Sequence, residues 1–172
     1  ISYLPFKRLM RDAVSKFLER RFPKHHNISP YQQVLTQKQI DKLIEQFLIP
    51  GEIDDLKEVE GRVINVIDSY LKPMGLIKKK KNSIKLKINA DKNPLIKKFF
   101  SYLENEKTEI KEVYQKLRKG EYGLSYKQFK LVVYALLYSG YLTAYSSKQK
   151  ISLKHLNARN FGRIKFLGYG EI

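Results

Sequence analysis

From Lys107 onward the apolar positions fall twice at helical spacing and then switch to alternation. Ile110, Val113, Tyr114 and Leu117 form one helical stripe, with Thr108 placed to cap its start. Lys119-Gly120-Glu121-Tyr122-Gly123 supplies a tight reversal. Ser125-Tyr126-Lys127-Gln128 then reads as a capping box for a second helix carrying Phe129, Leu131, Val132, Val133, Leu136 and Leu137, which ends at Ser139-Gly140. Tyr141 to Tyr145 alternates like a strand, and Ile151-Ser152-Leu153 is expected to return across a polar Ser-Ser-Lys-Gln turn.

The first half shows a related rhythm. Phe6 to Arg21 is amphipathic, with Leu9, Ala13 and Phe17 on one side, and Pro23 ends it before a loop containing Pro30. Thr36-Gln37-Lys38-Gln39 is a capping box for a helix with Ile40, Leu43, Ile44 and Phe47, closed by Pro50-Gly51. A third helix is expected from about Asp55 to Leu71, stopped by Pro73 and Gly75. Leu76 to Lys80 and Ile84 to Ile88 flank Lys81-Asn82-Ser83 as a hairpin. Pro94 then opens a helix running to about Asn105.

Two helices followed by a hairpin is the plan of a winged helix-turn-helix. The expected class is therefore mainly α with small β-hairpins, holding one winged helix or two in tandem. On the tandem reading, residues 1–35 are an N-terminal helix and loop, 36–90 a first module, and 91–172 a second module with a C-terminal extension. Past Phe161 the pattern fits either helix or strand.

Composition narrows the chemistry. The 172 residues carry 34 Lys+Arg against 17 Asp+Glu, a formal charge of +17, which favours polyanionic partners. An A·T-rich genome inflates lysine equally well. No cysteine is present, so disulfides, thiol catalysis and Cys-ligated zinc are excluded. No apolar run reaches the roughly 18 residues of a membrane span. The start at Ile1 lacks both a Met and a signal-peptide pattern, so the chain is expected to belong to a longer protein.

The sharpest basic feature is Lys72 to Lys98, ten lysines with Asp91 the lone acid. Its Lys78, Lys79, Lys80, Lys81, Lys85 and Lys87 suit a wing lying along phosphates; lysines also keep sheet edges from pairing. Lys127, Gln128 and Lys130, at the start of the last long helix, occupy the place from which a recognition helix reaches a major groove. Arg118 and Lys119 lie just before them. From Leu131 to Tyr138, however, that helix is apolar nearly all round, a pattern that packs against protein. Gly120-Glu121-Tyr122-Gly123 has the spacing of a GXXG phosphate clamp, but Glu121 at its centre opposes a phosphate. No phosphate-binding loop, nucleophile elbow or zinc-protease motif occurs, so neither an enzyme activity nor a cofactor or metal is expected.

Four segments carry a family resemblance: Arg21-Phe22-Pro23-Lys24-His25, Tyr70-Leu71-Lys72-Pro73-Met74-Gly75-Leu76, Lys119-Gly120-Glu121-Tyr122-Gly123-Leu124-Ser125, and Ser139-Gly140-Tyr141-Leu142-Thr143-Ala144. Together they resemble a non-catalytic region of very large bacterial P-loop ATPases, similar to those of BREX- and Pgl-type phage-defence islands. Glu121-Tyr122-Gly123 departs from the family's Pro-Tyr-Gly, and the family's nucleotide-binding residues are not in this segment. The resemblance implies an accessory winged-helix piece of an ATP-driven machine, cytoplasmic and DNA-associated.

Two functions follow as expectations. One is nucleic-acid binding, double-stranded DNA first, through the wing and helix residues named above. The other is a protein-interaction domain joining parts of the parent ATPase, its charge merely solvating it. Leu136→Asp puts an unpaired charge into the expected core and should unfold the second module. A variant that stays soluble with full helical circular dichroism would place that helix face outside the core.

Overall fold

The computed structural model describes residues 4–28, 35–104 and 106–171; the readings placed on Pro30 and Asn105 fall outside them. Helix α1 (Leu4–Arg21) is followed by the single turn α2 (His25–Ile28) and by α3 (Gln37–Leu43). The Thr36 capping box forms as the sequence predicts: the Gln39 amide donates to Thr36 Oγ1 at 3.3 Å, and the Thr36 amide donates to Gln39 Oε1 at 2.8 Å. Helix α3 continues into a π-helical turn, Ile44–Leu48, before the chain reverses at Gly51.

The short strand β1 (Glu52–Ile53) comes next, then a 3-10 turn, Leu56–Glu58. The expected helix start at Asp55 is therefore corrected. Asp55 caps only the 3-10 turn, and helix α4 begins later (Gly61–Val66), running into a second π-helical turn, Ile67–Leu71. Val59 and Glu60 break the path by taking extended backbone. Glu60 is held there by Lys42 and by Gln46, whose Oε1 accepts from the Glu60 amide at 3.3 Å. Strands β2 (Ile77–Lys79) and β3 (Ile84–Leu86) form the expected hairpin, and β1 pairs with β3 to give the order β1-β3-β2.

The second half follows a similar order with a full helix, Ile110–Lys119, where the first half has a 3-10 turn. It holds α5 (Pro94–Ser101), β4 (Thr108–Glu109), α6 (Ile110–Lys119), α7 (Tyr126–Tyr138), β5 (Leu142–Tyr145) and β6 (Phe166–Tyr169), the strands lying β4-β6-β5. Thr108 is not a cap: it is buried in β4 and paired with Leu167. The returning strand also differs from expectation. Ile151 donates one bond to the Ala144 carbonyl at 2.8 Å, but the full partner of β5 is β6. The intervening residues fill the core with Leu156, Ala158, Phe161 and Ile164, which delays the return. Both halves are thus mixed helical units, each with a small three-stranded antiparallel sheet.

The two halves share one hydrophobic core, and α7 lies at its centre. Every residue of α7 from Phe129 to Leu137 is buried except Lys130. It packs on α6 and β5 of its own half and on both π-helical turns of the other. Each large apolar side chain withdrawn from water there contributes about 1.5–3 kcal/mol. Polar bonds fix the mutual placement: the Ala158 amide donates to Asp41 Oδ1 at 2.8 Å, Tyr141 Oη to the Ile88 carbonyl at 3.1 Å, and Asn93 Nδ2 to the Met74 carbonyl at 2.8 Å.

Helix α1 is the exception. Its Phe6, Leu9 and Phe17 are 64%, 67% and 67% exposed, so its apolar stripe has no partner among the described residues. Only its C-terminal end is anchored, where the Phe22 ring lies over Gly123. Gly123 has φ +54° and Gly51 φ +79°, but only Gly123 has a neighbour in the space of a Cβ. Gly51→Ala should cost about 1–2 kcal/mol for left-handed backbone alone. Gly123→Ala must also displace Phe22 and should melt at least about 2 °C lower than Gly51→Ala. Equal melting temperatures would mean that the Phe22 contact contributes nothing.

Candidate nucleic-acid interface

The β2–β3 hairpin sorts its lysines onto two faces. Glu52, Lys85 and Lys78 are register partners and share the outer face of the first sheet; Ile53 and Ile84 are buried on the inner face. Lys80 and Lys87 border the same shallow concavity, of about 500 Å³, as Lys78 and Lys85. Lys78 directly opposite Lys85 is a like-charge pair, which weakens a sheet unless an anion intervenes. Glu52 offers partial relief, 3.7 Å from Lys85 Nζ. Lys78, Lys80, Lys81 and Lys87 are exposed and have no ion-pair partner among the described residues.

Lys79 behaves differently. Its ammonium donates to both carboxylate oxygens of Asp68, at 2.8 and 2.7 Å. Asp68 lies on the outer side of the helix formed by α4 and its π-helical extension, so this pair ties the hairpin to that helix. On the same side Arg62, Asn65 and Lys72 are exposed, whereas Val63, Val66, Ile67 and Tyr70 are buried. Arg62 and Lys38 also border a cleft of about 360 Å³ between the starts of α3 and α4. Sequence reasoning passed over Arg62, Asn65 and Lys38. The signal was present in the polar spacing 62–65–68–72 between buried apolar positions.

The second half does not build an equivalent surface. Gln128 is 2% exposed, because its side chain accepts from the Ser125 amide at 3.0 Å to complete the capping box. The expectation that it is an exposed contact residue is corrected. Lys130 lies against aromatic rings, its Nζ 5.0 Å from the Tyr126 centroid and 5.3 Å from that of Phe161. Burial pushes its ammonium below the ordinary lysine range. Lys127, Arg118 and Lys119 remain exposed.

The turn between α6 and α7 is occupied by the chain's own N-terminal part. Arg21 Nη2 donates to the Lys119 carbonyl at 2.9 Å, and Lys24 Nζ to Glu121 Oε1 at 2.8 Å. His25 Nδ1 lies 2.7 Å from the Tyr122 carbonyl, which makes that nitrogen the donor. The bond to Glu121 raises the Lys24 pKa. Glu121, out of place in a phosphate clamp, therefore anchors α1. Tyr122 in turn lines a small cleft with Pro73, Met74 and Asn93, bringing this turn beside the end of the first half's last helix.

Among the described residues no group of three or more His, Asp or Glu side chains is placed to hold a metal ion. No helix among them is long and apolar enough to cross a membrane. Comparisons with protein-family models, curated proteins and solved structures produced no match.

The depressed pKa of Lys130 has a definite sign. Its charge is disfavoured in the folded state, a cost present in full at neutral pH, relieved as pH rises through the lowered folded pKa, and gone above the unfolded lysine value, 10.5. Lys130→Met should keep or raise the melting temperature at pH 7, with any gain fading as pH rises toward 10.5. A marked loss at pH 7 would mean that the contacts with Tyr126 and Phe161 outweigh desolvation.

Proposed function

We propose that the chain is a tandem winged-helix unit that binds duplex DNA through its first half. Each half places a helix before its first strand, helical turns before its second, and its last strand at the centre of the sheet, and this shared order supports the winged-helix reading. The observation that carries the DNA reading is the Lys79–Asp68 pair. It holds a hairpin bearing Lys78, Lys80, Lys81 and Lys87 against a helix face presenting Arg62, Asn65 and Lys72. In this reading the lysines take phosphates, Arg62 and Asn65 face base edges, and Lys85 shares its charge with Glu52. Lys79 positions the wing and contacts no DNA.

In the second half, the helix that would enter a groove is instead packed into the shared core. Arg118, Lys119 and Lys127 then act as auxiliary phosphate contacts. That the unit serves a larger bacterial phage-defence ATPase, without catalytic activity of its own, rests on the sequence resemblance alone.

A second reading, a protein-interaction domain, is favoured by one observation, the exposed apolar stripe of α1. The two readings place their contacts on different elements and are separable by mutation. Replacing Lys78, Lys80, Lys81 and Lys87 together by Gln should weaken duplex binding at low salt by tenfold or more (order of magnitude) with little sequence bias. The slope of log K against log salt should fall by up to about 3–4, since each phosphate contact contributes about 0.9. Fluorescence anisotropy with a labelled duplex reads both quantities. An unchanged affinity and slope would remove the hairpin from the interface and leave the α1 reading.

A further inference from the structure

A further concavity lies beside the first turn of α7, lined also by α6, the loop after β5 and the segment before β6. It measures about 600 Å³, within the range of about 300–1,000 Å³ usual for small-ligand sites. Five aromatic residues line it, and Tyr126 is the exposed one among them. Tyr126 stands edge-on to Tyr114 (centroids 5.3 Å apart, 67° between planes) and to Phe161 (6.0 Å, 81°). Tyr126 is 46% exposed although it sits in this cluster, so part of its ring is open to a ligand.

The polar rim of the cleft is cationic. Lys111 comes from α6, Lys148 from the loop after β5, and Lys165 from just before β6; Glu109 is the single acid on the rim. None of the three lysines has an ion-pair partner among the described residues. Lys130, beneath the rings, adds a fourth positive charge against the aromatic wall. A half-exposed tyrosine ring beside three ammonium groups without ion-pair partners among the described residues matches a ligand that is flat at one end and anionic at the other.

We infer that this cleft takes one unpaired nucleotide of a DNA strand, its base stacked on Tyr126 and its phosphates met by Lys111, Lys148 and Lys165. Base–aromatic stacking is tolerant of sequence, and lysines placed along a strand follow its backbone. The inference deepens the DNA-binding reading and rests on it. The first half would hold the duplex, and the cleft the strand where pairing ends.

The test uses the full chain and three DNA probes: a blunt duplex, the same duplex with a short oligo-dT overhang carrying one 2-aminopurine, and the overhang strand alone. The overhang should raise affinity about tenfold over the blunt duplex and change the 2-aminopurine fluorescence. Tyr126→Ala, and separately Lys148→Glu with Lys165→Glu, should abolish that advantage while leaving blunt-duplex affinity within about twofold. Tyr126→Phe should retain it, which separates stacking from misfolding. Equal affinity for blunt and overhanging duplexes, or an advantage that survives Tyr126→Ala, overturns the inference while the duplex reading stands. Tyr126-dependent binding of the single strand without any binding of the blunt duplex keeps the cleft and overturns the duplex reading. No binding of any probe overturns both.

Discussion

The whole architecture depends on the burial of α7. A thirteen-residue helix with apolar side chains on nearly every side cannot lie on a surface without a large hydration cost, and this one is enclosed by both halves of the chain. The π-helical turns of the first half, Ile44–Leu48 and Ile67–Leu71, are the surfaces it packs on. In its own half α7 also packs on β5, so its burial ties the second sheet to the shared core. The polar links Asp41–Ala158 and Tyr141–Ile88 then set the angle between the halves.

This burial makes the surfaces of the two halves differ. In the first half, the last helix keeps a polar face open because only one side of it is needed for the core. In the second, the corresponding helix is consumed by packing, and its polar residues are diverted. Gln128 closes a capping box and Lys130 lies over rings. The exposed chemistry of the second half therefore sits around the helix start and the long return segment, where Tyr126, Phe161 and three lysines meet. Two halves with the same sheet order thus present different surfaces for a steric reason.

Helix α1 stands apart from this core. It is held at its C-terminal end by Arg21, Phe22, Lys24 and His25, all directed at the end of α6 and the turn that follows it. The Lys24–Glu121 pair is exposed, and such pairs contribute little stability on their own. The seat of Phe22 over a glycine with no side chain is the more specific element of the anchor.

Local pattern alone determined most of the helices, both capping boxes, the lysine hairpin and the enclosed character of the last long helix. These depend on neighbours within a few residues, so spacing and cap chemistry reveal them. Thr108 and Ile151 depart from their local pattern for the opposite reason. A two-residue strand and the partner of β5 are chosen by contacts some 20 to 60 residues apart, where propensity carries little weight. The site divides in the same way. That the hairpin is basic was plain from its residues, but which lysines are free depended on Asp68 and Glu52, which reach it from other elements. Tyr126, Phe161 and Lys148 meet only because the chain returns through the core before its final strand, and no local signal encodes that return. Periodicity dictates which faces must be buried; which surface covers each face is decided only when the two halves close around α7.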